Sequence, residues 1–185
     1  MKEPIIAWTN SDLIVLGDPT HPEVPGIVEF NDGTAGNPVL ADTDSAEIAL
    51  AITNNFTNGT AAAEPCFDMK KCTFTTKDND GGMEEQAVQE KWVRVKSISN
   101  SEADYTAVGA HLDGATYVED SHPIGCGDSG VGTDVISGAA NDGTEAGTGK
   151  TNIARISIMA HPSSDATPVT HNLKLRVVYT YGTGV

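Results

Sequence analysis

Hydrophobic and polar residues alternate with period two in several stretches of the chain. The clearest is Leu173, Leu175, Val177, Tyr179 and Tyr181, interleaved with Asn172, Lys174, Arg176 and Thr180. Side chains point alternately to the two faces of a strand, so this segment is predicted to be a half-buried strand, with Leu175 and Val177 in the core. The same pattern sets Ile48, Leu50 and Ile52 against Glu47, Ala49 and Thr53, Val93 and Val95 against Trp92, Arg94 and Lys96, and Ala154, Ile156 and Ile158 against Arg155 and Ser157. Weaker candidates are Ile5–Trp8, Leu13–Leu16, Gly26–Phe30, Cys72–Thr76, Tyr105–Val108 and Thr116–Val118. Only Gly82–Glu90 has the composition for a turn or two of helix.

Short strands separated by turn residues, with no strand–helix–strand rhythm, predict an all-β fold. The expected architecture is an antiparallel β-sandwich, jelly-roll or immunoglobulin-like, built as a single domain over 1–185. Gly109–Gly149 departs from this plan. It holds ten of the nineteen glycines, no Lys or Arg, and few large apolar residues. It is therefore expected to be a long, acidic, Gly-rich excursion that adds little to the core and makes its contacts with neighbouring subunits.

Charge changes the picture next. Eleven Lys+Arg against 26 Asp+Glu leave a net charge of −15, which would repel a phosphate backbone, so direct nucleic-acid binding is not expected. The sign is also organised in blocks. Residues 3–69 carry eleven acids and no Lys or Arg, 97–149 carry nine and none, and ten of the eleven bases lie in 70–96 and 150–185. No apolar run approaches the length of a membrane span, and Met1-Lys2-Glu3-Pro4 leads into a strand-like run instead of a signal peptide, so no membrane association is expected and synthesis in a cytoplasm is.

The candidate chemistry is thin. Cys66, Cys72 and Cys126 lack zinc spacing; Cys66 and Cys72 either bridge across a turn or stay as buried thiols, and a cytoplasmic origin favours thiols. Gly143–Thr151 resembles a phosphate-binding loop but misses its spacing by one and leads into a strand. Gly127-Asp128-Ser129-Gly130 resembles the nucleophile loop of serine proteases, without a matching upstream histidine motif. Asp78-Asn79-Asp80-Gly81-Gly82 offers oxygen ligands that calcium could use, or a hairpin turn joining Cys72–Thr76 to Lys91–Ile98, and the turn is the simpler reading. Asn31-Asp32-Gly33 and Asn141-Asp142-Gly143 are further turn signals, and the sequons at Asn55 and Asn58 matter only in a secretory pathway. No catalytic, cofactor-binding or metal-binding residues are assigned, and the expectation is a protein that is not an enzyme and needs no cofactor.

Lys91-Trp92-Val93-Arg94-Val95-Lys96, the turn Asn141–Thr144 before a strand, and the closing strand Asn172–Tyr181 resemble segments of tailed-bacteriophage virion proteins. Those are the small β-sandwich subunits that decorate capsids or build tails and baseplates. The resemblance covers about a third of the chain and carries over no catalytic residues. It implies a structural subunit located in the virion, with copies of itself and the major capsid or tail proteins as partners. The alternatives are a carbohydrate-binding or adhesive β-sandwich module, which needs exposed aromatic rings, and an extracellular filament subunit.

Overall fold

The computed structural model describes residues 1–23 and 25–182. The chain is all-β, with 36% of residues in strands and 8% in helix. Among the described residues nine strands form: β1 (Ile6–Asn10), β2 (Ile48–Asn54), β3 (Lys70–Asp78), β4 (Val93–Ser97), β5 (Thr106–Asp113), β6 (Thr116–Asp120), β7 (His122–Pro123), β8 (Ile153–Ala160) and β9 (Leu173–Thr180). One short helix, α1 (Gln86–Gln89), lies between β3 and β4.

Among the described residues all pairings between these strands are antiparallel. Six strands make a curled half-barrel in the order β1-β2-β8-β4-β5-β6, and three make a smaller sheet in the order β7-β3-β9. The periodicity explains what lies between them. Leu50 and Ile52 of β2, Val93 and Val95 of β4, and Ala154, Ile156 and Ile158 of β8 project to one face, where they meet Cys72 and Phe74 of β3. The opposite face of β2 and β8 holds a second small cluster of Leu13, Ala51, Phe56 and Ile153.

The weaker strand candidates divide. Leu13–Leu16 forms only a bridge, Val15 against Thr9, with Leu16 N–H donating to the Trp8 carbonyl. Gly26–Phe30 is not a strand; Val28 and Phe30 reach the core as loop side chains without a ladder. Leu175 and Val177 pack against the core but stay half-buried, because β9 is the outermost strand of its sheet and has β3 on one side only.

Two expectations are overturned. Asp78–Gly82 is not the turn of a hairpin joining β3 to β4. β3 pairs with β7 and β9, while β4 pairs with β5 and β8 in the other sheet, so 79–92 crosses between sheets. The α1 turn makes that crossing, anchored by the buried Ala87 and Val88.

Nor is Gly109–Gly149 an excursion from the core. It supplies most of β5, all of β6 and β7, and four side chains with no exposed surface: Ala110, Ile124, Cys126 and Ile136. Two devices replace the apolar area that the sequence lacks there. Glycine lets backbone meet backbone, so that a Cβ on Gly138 would come within 2.4 Å of the Cys66 carbonyl oxygen. Gly143, at φ +74°, likewise leaves no room for a side chain against the Thr60 backbone.

The second device is a set of buried asparagines. Asn152 donates from Nδ2 at 3.0 Å to the carbonyls of Asn54, Ser137 and Ala139. Asn54 donates to Phe67 and Ile136, Asn55 to Glu64, Gly138 and Ala139, and Asn141 to Asn55 and Ala139. Side-chain amides thus supply donors to buried carbonyls, Ser137 and Ala139 among them, that lie outside the strand ladders.

Candidate functional site

Ion pairs tie the charge blocks together. Glu119 of β6 holds Lys77 of β3 at 2.9 Å and Arg176 of β9 at 3.1 Å. Asp120 takes Lys91 and His111; burial acts to raise its pKa, but those two donors outweigh it and hold the carboxyl below the usual range. Asp44 lies 3.8 Å from Arg94, Glu47 lies 3.7 Å from Lys96, and Glu145 holds Arg155. Six of the eleven bases are used in this way, each by an acid from one of the two acidic blocks. Among the described residues Lys2, Lys70, Lys71, Lys150 and Lys174 make no ion pair.

The motifs of the sequence fall as follows. Ser129 Oγ donates to the Lys150 carbonyl at 3.4 Å, and the neighbouring Asp128 accepts from Ser101. Each of the five histidines faces a carboxylate instead: His21 with Glu23, His111 with Asp120, His122 with Glu102, His161 with Asp44, and His171 with Glu85. Gly143–Thr151 folds as a turn and a 3-10 segment (Thr148–Asn152) that runs directly into β8, with no helix N-terminus for a phosphate. Asn55 is buried with its amide fully engaged, which closes that sequon in the folded chain.

Asp78, Asn79 and Asp80 line an open acidic cleft of about 460 Å³ with Glu84, Glu85, Thr170 and Asn172. Asp78 spends both carboxylate oxygens on its own backbone, accepting the N–H groups of Glu84 at 2.6 Å and Glu85 at 3.0 Å at the entry to α1. Asp80 accepts from Gly82 N–H at 3.0 Å. Among the described residues no group of three or more His, Cys, Asp or Glu is arranged to hold a metal ion. Cys66, Cys72 and Cys126 are all free and buried, and burial pushes the thiols of Cys72 and Cys126 up to about 12.

Two surface features were not visible in the sequence. The first is the outer edge of β9: among the described residues its backbone pairs with β3 and with nothing else over Leu173–Thr180. The row that faces the core, Leu173, Leu175, Val177 and Tyr179, is half-covered, and the opposite row is Lys174, Arg176, Val178 and Thr180. The periodicity revealed the strand, but an edge differs from a centre only in its partners, which one sequence does not record.

The second feature is an aromatic group at the end of that edge. Phe67 and Tyr179 each lie about 6 Å from Tyr181, which is 47% exposed and donates to Glu3. Beside them opens a cleft of about 360 Å³ lined by Pro65, Phe67, Asp68, Lys70 and Ala139. The two tryptophans are elsewhere, Trp8 packed near Phe74 in the core and Trp92 buried with Nε1 bonded to Glu90.

No family model, curated protein or solved structure matches the chain. No helix among the described residues is long and apolar enough to cross a membrane.

Proposed function

We propose that this chain is a non-enzymatic structural subunit of a larger assembly, a virion decoration or tail-associated protein that works through contacts with copies of itself and with other particle proteins. One observation carries the reading. The eight-residue edge of β9 is unpaired, and the apolar row behind it is left half-covered. A long open edge is a template for another strand, and soluble proteins commonly shorten it, bend it or cover it. The acidic surface adds support, because it keeps such a subunit from sticking to nucleic acid packed nearby. Mass spectrometry of particles purified from the producing host is expected to find the chain in stoichiometric amounts. Its recovery from the soluble fraction alone would remove the reading.

A second reading, a carbohydrate-binding or adhesive module, gains support from Phe67, Tyr179 and Tyr181 beside the cleft that holds Asp68 and Lys70. Aromatic faces stack on sugar rings, and a carboxylate with an ammonium can orient the hydroxyls. Glycan-array binding that disappears in Tyr181→Ala would establish it, and an empty array would exclude it for the glycans displayed.

A further inference from the structure

We propose that β9 pairs antiparallel with β9 of a second copy, about a two-fold axis through Val177, joining the two small sheets into one of six strands. The proposal rests on the assembly reading and names the partner at that edge. In such a pair both strands present the same faces, so residues equally far from the axis stand opposite each other.

The axis position is set by charge and length. An axis through Arg176 would set Arg176 against its own copy, and like charges directly opposite destabilise a ladder. With the axis at Val177, Arg176 faces Val178 and Lys174 faces Thr180, so each cation meets a neutral residue. The core-facing row then reads Leu173 against Tyr181, Leu175 against Tyr179, and Val177 against itself. Leu173, Leu175, Val177 and Tyr179 are the half-covered apolar residues of this sheet edge, and Tyr181 just beyond it is exposed.

Edge lysines and arginines often guard a strand against unwanted pairing. Here Arg176 is already paired with Glu119 at 3.1 Å, an acid it shares with Lys77, which leaves Lys174 as the one β9 cation without an ion pair among the described residues. The remaining edges are poorer templates. β1 is met on its outer side by Leu13–Leu16, β7 is two residues long and β6 five.

Light scattering on the full chain with Thr180 variants gives the test, because Thr180 is exposed and would face Lys174 of the other copy twice per dimer. The chain is expected to dimerise, Thr180→Lys to weaken the dimer on the order of tenfold, and Thr180→Glu to tighten it. Oxidative cross-linking fixes the register. Val177→Cys, and the double variant Lys174→Cys with Thr180→Cys, are expected to give covalent dimers, while Lys174→Cys alone is not. The native thiols are buried and leave a low background.

A chain that stays monomeric at millimolar concentration, a dimer indifferent to charge at 180, or cross-linking through Arg176→Cys in place of Val177→Cys would each overturn the proposal. A monomer still recovered in particles would overturn the self-pairing and leave the assembly reading intact. Circular dichroism of every variant separates loss of pairing from loss of fold.

Discussion

Lys77 Nζ lies 2.9 Å from a carboxylate oxygen of Glu119, and the same oxygen takes Arg176 at 3.1 Å. One acid of β6 thereby holds both long strands of the small sheet. The Lys77 side chain is 9% exposed, so it has little access to water should Glu119 be removed. Glu119→Ala is expected to cost about 3 kcal/mol in urea unfolding, the usual penalty for stranding one charge of a buried pair. Lys77→Met combined with Glu119→Leu should recover most of the loss, since a well-packed apolar replacement often equals a buried ion pair.

Asn152 supplies the second expectation. Replacing it with Ala takes a donor from the Asn54 and Ser137 carbonyls, at about 1–3 kcal/mol for each group left orphaned, while the Ala139 carbonyl keeps Asn55 and Asn141. Hydrogen exchange should show the loss first in Ser137 to Asn141, whose backbone the network fastens. Unchanged protection there would mean that water replaces the amide freely.

His171 makes stability depend on pH. Burial acts to lower its pKa, but hydrogen bonds with the Thr167 carbonyl and Glu85, and the charges of Glu85 and Glu90, outweigh burial and raise it above 6.5. A raised histidine contributes stability that is fully present below its unfolded pKa and is lost as pH rises through the folded one. The melting-temperature deficit of His171→Gln should therefore be larger at about pH 5.5 than at about pH 8.5. An equal deficit at both would assign the residue a packing role against Trp92, whose ring centroid is 4.6 Å away.

The three thiols should resist Ellman's reagent in the native protein. Burial disfavours the thiolate of Cys72 and Cys126, and the thiolate is the reacting species. All three should react within the dead time once the chain is unfolded. Reaction at native conditions would report local opening around Cys66, which lies nearest the surface cleft.

Ile136→Ala is expected to cost about 2–4 kcal/mol, as for other fully buried aliphatic side chains. Val177→Ala should cost less, because its row at the β9 edge is half-covered in the isolated chain. This ranking reverses what the sequence suggests. Period-two alternation identifies β2, β4, β8 and β9 because each carries its large apolar side chains in one row that meets the core. It cannot assign Ile124 or Ile136, which reach the core from irregular backbone. Of the buried asparagines, Asn141 reads in the sequence as a turn signal and Asn55 as a sequon, while Asn54 and Asn152 give no signal, since an amide that serves a distant carbonyl looks the same as one that faces water. Asp78 misleads for a related reason: its oxygens cap the chain around α1, and nothing in its neighbours tells that use from cation binding.

The asparagine-held end of the molecule also bears on how stability varies with temperature. Exposing apolar surface raises the heat capacity on unfolding, whereas exposing polar surface lowers it. A segment fastened through amides and close glycine backbones releases mostly peptide and polar surface when it opens. The heat-capacity increment of the whole chain should therefore fall below the usual ~12–15 cal/mol/K per residue. A smaller increment flattens the stability curve, so the folded state should lose little on cooling and resist cold denaturation better than an equally stable protein with a larger apolar core.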